Sequence, residues 1–223
     1  NHLAVTLDGV NEYIVLNFSQ QGGNMGTQIL DNGYTLQFTW ITGWEVLTTS
    51  EVMVNTSQLG AIYEFEYKEQ NQGSSGYMVL GFDKANNSGT GYSSGGESTR
   101  VSMLLKWHGT ISRHDGRNTY ATGTGFENES AKCEFWRFTV VEETNSSGQK
   151  YNDILYEGFT NEDRTPGSRT IYGLASRMYH GGTISNGQTL FTNYSEFYLV
   201  LGGYDTGTGV FKNFVKIPGR PTW

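Results

Sequence analysis

The stretch "EFEYKE" carries three carboxylates in six residues, Glu64, Glu66 and Glu69. Retaining glycoside hydrolysis uses two carboxyl groups about 5–5.5 Å apart on one substrate. Residues i and i+2 of a strand share a face, so Glu64 and Glu66 fall together. Glu69, at i+5, joins them only if a bulge restores the phase. The competing reading is a solvent-facing strand running into a polar loop. Other catalytic patterns fail. No G-x-S-x-G precedes a helix, so there is no serine nucleophile elbow. "TGTGF" and "GTGYSSGG" lack the strand–loop–helix context of a phosphate cradle and read as surface loops.

Binding chemistry has its own candidates. A sugar face stacks on an exposed aromatic ring, beside Asn and Asp hydrogen bonds. Trp107 with His108, and Tyr92, lie at strand ends or in long loops, and Trp44 follows "ITG" at a strand exit. Trp107 also continues the alternation Val101–Met103–Leu105, which favours a core position. Trp40 and Trp136 are expected in the core. For a hard cation, "DKANN" (Asp83, Asn86, Asn87) and "YDTGTG" (Asp205) offer oxygen ligands without a diagnostic spacing, so calcium is the one cofactor suggested and none is required. Cys133 is the single cysteine, which excludes an internal disulfide and cysteine-based zinc sites; it is expected as a small buried or edge residue. His2, His108, His114 and His180 show no metal spacing. Asn-X-Ser/Thr sequons begin at Asn17, Asn55, Asn86, Asn128, Asn145 and Asn193.

Totals narrow the partners. The net charge is −7, with 17% charged residues and no basic run. That leaves no electrostatic footprint for DNA or RNA, and disfavours an anionic membrane surface. No run of 18 apolar residues exists, so no membrane insertion is expected. The surface is read as neutral and polar, of the kind common on secreted and virion proteins. The chain opens without Met and is read as trimmed or as a piece of a longer precursor.

These side chains need a scaffold, and the periodicity supplies one. Strand alternation runs through "YTLQFTW", "AIYEFEY", "YMVLGF", "VSMLLKW" and "FWRFTVV", while helical periodicity is nearly absent. "FYLVLGG" is a continuous apolar run. In "GVFKNFVKI", Phe211 and Val215 are expected opposite Val210, Phe214 and Ile217, with some slip of phase. About a dozen such segments are separated by Gly, Asn, Ser and Asp clusters. Polar stretches at 83–100, 108–132 and 161–169 read as loops. With 30 Gly, 14 Tyr and 12 Phe, many turns and a core of flat rings are expected. So many antiparallel strands stack as two sheets, because one open sheet would leave an aromatic face wet. The expectation is a single all-β domain over 1–223, a two-sheet antiparallel jelly-roll sandwich, its terminal strands paired.

"LDGVNEYIVL" followed by "GYTLQFTWIT" resembles the start of laminin-G-like, concanavalin A-like lectin/glucanase domains, where an FDG-x-(D/N)-(D/E)-Y-(V/I) strand pair precedes an FT-(I/L)-x-F-W strand. "FWRFTVV" (135–141), "ILYEGFT" (154–160) and "YLVLGGYDTGTGVFKNFVKI" (198–217) resemble later strands of that family in the same order. Thr39 stands where the family has Trp, with Trp40 one place later, and 83–132 has no clear counterpart. The resemblance implies a sandwich whose calcium, when held, sits among loop oxygens. Laminarinase-like retaining glucanases of this superfamily carry E-x-D-x-x-E, which would make Glu64 the nucleophile, Glu69 the acid/base and Glu66 the assisting residue. The opening also resembles phage-type particle proteins of this fold. The primary expectation is therefore a non-catalytic surface module, structural or adhesive: a virion appendage or decoration component, or an extracellular glycan-binding protein. Its partners would be a glycan or neighbouring protein subunits, with self-association or docking on a larger assembly. The alternative is a retaining glycoside hydrolase acting on β-glucan-like chains through Glu64 and Glu69.

Overall fold

The structure, a computed structural model, describes residues 3–6, 12–16, 18–21, 26–29, 35–40, 44–70, 77–83, 100–107, 110–114, 119–121, 133–144, 146–174, 195–204 and 207–217. In chain order the strands are β1 (Leu3–Thr6), β2 (Glu12–Val15), β3 (Phe18–Gln21), β4 (Gly26–Ile29), β5 (Thr35–Trp40), β6 (Trp44–Thr49), β7 (Val54–Asn55), β8 (Ile62–Gln70) and β9 (Tyr77–Asp83). There follow β10 (Arg100–Trp107), β11 (Thr110–His114), β12 (Thr119–Ala121), β13 (Phe135–Thr144), β14 (Lys150–Phe159), β15 (Arg169–Leu174), β16 (Glu196–Tyr204) and β17 (Gly207–Ile217). No α-helix occurs among the described residues. The strands form two antiparallel sheets, as the alternation predicts. The first runs β1-β2-β17-β8-β13-β14-β15, with β5 also on β17 and β4 on β5. The second runs β12-β11-β10-β9-β16-β6-β3, with β7 on β16.

Alternation decides which residues meet between the sheets. Phe38 and Trp40 of β5, Tyr63, Phe65 and Tyr67 of β8, and Trp136, Phe138 and Val140 of β13 share one buried cluster with Leu80, Phe82, Phe197, Leu199 and Leu201 of the second sheet. Phe82 and Phe138 meet across the sandwich with ring centroids 4.8 Å apart. Gly203 and Gly207 hold the close approach around Trp40. A Cβ on either would lie 2.1 or 2.3 Å from the indole, so only glycine lets the β16 and β17 backbones lie against the ring. β1 and β2 pair antiparallel, with Leu3 opposite Val15 and Thr6 opposite Glu12. The terminal strands do pair, Tyr13 opposite Val215.

Two expectations are corrected. The stretch 108–132 is not all loop, since β11 and β12 lie in it and extend the second sheet beyond β10. The phase of β17 also differs. Its register slips between Lys212 and Val215, where Asn213 takes φ 57°. The extra residue puts Phe211 and Phe214 on the same inner side, stacked at 6.5 Å, and places Val215 opposite Glu64 on the outer side.

Candidate functional site

The β8 carboxylates lie on the outer face of the first sheet, because Tyr63, Phe65 and Tyr67 take the inner one. Register carries this outer row across neighbouring strands: Val215, Glu64, Arg137, Glu157 and Tyr172 stand side by side. Oppositely charged groups meet along it. Arg137 Nη1 lies 3.9 Å from Glu64 Oε2, and its Nε donates to Glu157 Oε1 at 3.0 Å. Arg169 Nη1 donates to the other Glu157 oxygen at 3.1 Å. A lone buried carboxylate would be costly; Glu157 is buried with both oxygens matched to guanidinium groups.

The turn after β14 completes the network. Arg164 adopts φ 51° in that turn, and its guanidinium reaches back over β8 and β13. Its Nη2 donates to the Phe65 carbonyl at 2.9 Å, its Nε to the Trp136 carbonyl at 3.3 Å, and Nε lies 3.4 Å from Glu64 Oε2. Burial lowers the Arg164 pKa from its ordinary value, while the nearby charges of Glu64 and Glu66 pull it back up. Glu66, buried to 8% exposure, lies 3.9 Å from Lys212 Nζ and accepts a hydrogen bond from Asn213 Nδ2.

These contacts bear on the catalytic alternative. Glu64 Oε2 lies beside Arg137 and Arg164, while Glu66 Oε1 faces Lys212 and its Oε2 accepts from Asn213. Glu69 stands in register with Gly209, an odd number of residues from Glu64 and Glu66. The nearby register slip adds its residue to β17, so β8 itself contains no bulge to bring Glu69 into phase. The "solvent-facing strand" reading needs its own adjustment: the outward face is there, but ion pairs and the Arg164 turn cover it.

The predicted binding residues fall at the other sheet. Trp107 ends β10 opposite Tyr77, the first residue of β9. Tyr77 in turn stands opposite Tyr204, the last residue of β16, and Tyr204 opposite Trp44, the first residue of β6. Trp44 and Trp107, far apart in sequence, therefore end one row shared by four adjacent strands. His108 and Tyr92 lie outside the described residues.

Of the suggested calcium ligands, Asp83 ends β9 opposite Tyr198, while Asn86, Asn87 and Asp205 lie outside the described residues. Among the described residues no three His, Cys, Asp or Glu side chains gather as a metal site. No helix among them is long and apolar enough to cross a membrane. Cys133 is buried, its Sγ 2.9 Å from Thr170 Oγ1. Of the six sequons only Asn55 is described; its Oδ1 accepts from Ser57 N at 2.9 Å and Ser57 Oγ at 2.6 Å.

Sequence reasoning missed Arg137, Arg164 and Glu157, for which no motif exists, and Tyr77 and Tyr204. The two tyrosines could be found only by aligning strands, since each is one aromatic at a strand end. Tyr172 was missed too. It is 57% exposed on the first sheet, with the Arg169 guanidinium stacked 4.1 Å from its ring centre.

No protein-family model matches the chain, and no curated protein sequence matches it. Solved structures do. One is a protein of unknown function with galectin-like fold from Bacillus subtilis, 12% identical, covering 92% of this chain and 91% of that one at a TM-score of 0.46. Another belongs to work on endo-acting O-glycanases of the human gut microbiota, 10% identical over 86% of this chain and 81% of that one, TM-score 0.48. A third is the CBM2 module of the evolved Dit of Lactobacillus casei BL23 phage J-1, 9% identical over 91% and 83%, TM-score 0.46. At such identities the likeness concerns strand architecture and leaves function to the residues.

Proposed function

We propose that this chain is a non-catalytic, glycan-contacting module of an extracellular or virion surface. The observation that carries the reading is the backbone register that brings Trp44 and Trp107 to the same end of the second sheet. Aromatic rings offer a sugar an apolar surface at little conformational cost, and two of them on a rigid sheet can hold one ligand. The ion-paired state of Glu64 and Glu66 supports the non-catalytic part. An acidic chain with no basic run adds that the ligand is not a polyanion.

The test measures binding and cleavage together on immobilised β-1,3-glucan, β-1,4-glucan and β-galactan. Retention without release of reducing ends is expected. Release of reducing ends that disappears in Glu64→Gln would establish the hydrolase instead, and failure to bind any glycan on a broad array would remove the glycan-contacting part.

A further inference from the structure

Guanidinium groups and carboxylates alternate across the outer face of the first sheet, and the series ends on a cation beside an exposed ring. In order they are Arg164, Glu64, Arg137, Glu157 and Arg169, with contacts of 3.4, 3.9, 3.0 and 3.1 Å. We propose that the Arg169–Tyr172 end of this series is a binding site for a single carboxylate-bearing sugar, a uronic or sialic acid unit at the end of a glycan. The site goes beyond the reading above and is independent of the strand ends that carry Trp44 and Trp107, which belong to the other sheet. The ligand carboxylate supplies the anion that the alternation lacks, and the sugar ring lies against Tyr172.

Charge sets the ligand's sign. Three arginines against two glutamates leave one positive charge in excess, and the neighbouring Glu66–Lys212 pair is neutral in sum. Glu162 acts on Arg164, at the opposite end of the series from Tyr172. The chain as a whole carries −7, so one carboxylate suits this face and a polyanion does not. Burial sets which groups meet the ligand. The Glu157 side chain is 6% exposed, against 29% for Arg137 and 36% for Arg169, so the anion lies beneath and N–H groups lie above. Arg137 Nε and Arg169 Nη1 are spent on the two Glu157 oxygens. Arg137 Nη2 and Arg169 Nε and Nη2 make no hydrogen bond among the described residues. A guanidinium held on one edge by a carboxylate keeps its other N–H groups in a fixed plane for a second one. Aromatic rings fix those planes further: Arg137 lies 4.9 Å over the buried Phe159, and Arg169 lies 4.1 Å over Tyr172. Tyr172 keeps ring surface open to a sugar's C–H face. It stands opposite Glu157 on the next strand, about 4.8 Å away, within the span of one pyranose and its carboxyl group.

The experiment titrates the intact chain at neutral pH with glucuronic acid and N-acetylneuraminic acid, and in parallel with glucuronic acid methyl ester, glucose, acetate and a tetraglutamate peptide. At least one of the two acids should bind about tenfold more tightly than the ester, glucose or acetate, and which one binds identifies the source of the carboxylate. Arg169→Lys keeps the charge and loses the planar fork, and should weaken that acid about tenfold. Tyr172→Leu should weaken it about fivefold through lost stacking. Glu157→Gln makes the face more positive but releases both forks, and should weaken it as well. Arg169 and Tyr172 are exposed, so their variants should fold, and urea midpoints check all three. Retention on neutral glucan, where the parent shows it, should be the same in Arg169→Lys and Tyr172→Leu.

Equal affinity for glucuronic acid and its methyl ester, or full affinity in folded Arg169→Lys and Tyr172→Leu proteins, would overturn the site. Tighter binding in Glu157→Gln would replace it with diffuse attraction to a positive face. Tighter binding of tetraglutamate than of either acid would assign the face to an acidic protein partner instead. No binding of either acid would end this inference and leave the glycan reading to its own test. Loss of neutral-glucan retention in Tyr172→Leu would overturn the separateness of the two sites and move that reading to the first sheet.

Discussion

At the scale of single residues, the outer face of the first sheet and the inner core use tyrosine and charge in opposite ways. Tyr63 of β8 is fully buried, its hydroxyl accepting a hydrogen bond from the Asn55 N–H at 3.3 Å. Burial raises its pKa and the Asn55 bond lowers it by less. A phenol that ionises at higher pH folded than unfolded adds stability that is whole below the unfolded pKa. That stability is lost as pH climbs from there through the folded value. The window opens at about pH 10, the ordinary tyrosine value. Urea midpoints from about pH 8 to about pH 11 should therefore fall more steeply in the parent than in Tyr63→Phe. Equal slopes would mean that Tyr63 ionises as readily in the fold as outside it. On the outer face, Arg164 is affordable only because Glu64 and backbone carbonyls receive it, so the same burial that keeps Tyr63 neutral there demands pairing.

At the scale of elements, the closing pair β16–β17 is built around one indole. The stretch "LGGYDTGTG", read above within the closing strands, supplies a packing surface through its glycines. Gly203 and Gly207 lie against Trp40 from two strands, and Gly209 does the same for Phe38, where a Cβ would come within 2.5 Å of the ring. Gly203→Ala should cost about 3 kcal/mol or more, at the upper end of overpacking effects. Gly167→Ala, where an added Cβ meets nothing within 4 Å, should stay within about 0.5 kcal/mol as an ordinary surface change. Denaturant unfolding of the two variants makes the comparison. Shrinking the indole in Gly203→Ala/Trp40→Phe should make the double loss smaller than the sum of the singles, since the two changes share one contact. Additive losses would place the strain elsewhere.

At the scale of the molecule, the sandwich was legible because burial enforces period two. "YTLQFTW" and "FWRFTVV" show Phe38, Trp40, Trp136 and Phe138 on one face without any knowledge of partners, and those residues form the core. What sequence did not show depends on register, which is set between strands. The slip at Asn213 inverts part of β17, and the row from Trp107 to Trp44 exists only once four strands are aligned. The ion pairs over Glu64 were hidden for the same reason: Arg137 and Arg164 are 73 and 100 positions away in "FWRFT" and "NEDRT", counting from 64. The core itself has no such division, since Phe138 touches Phe65 of its own sheet at 5.1 Å and Phe82 of the other at 4.8 Å. Removing that ring should therefore weaken both layers together. Phe138→Ala is expected to cost about 3–5 kcal/mol, the range for a buried phenylalanine. Tryptophan fluorescence and far-ultraviolet circular dichroism should still report one coincident transition in both parent and variant. Separate midpoints for the two signals would mean that the sheets unfold independently and that the ring contact between them contributes little.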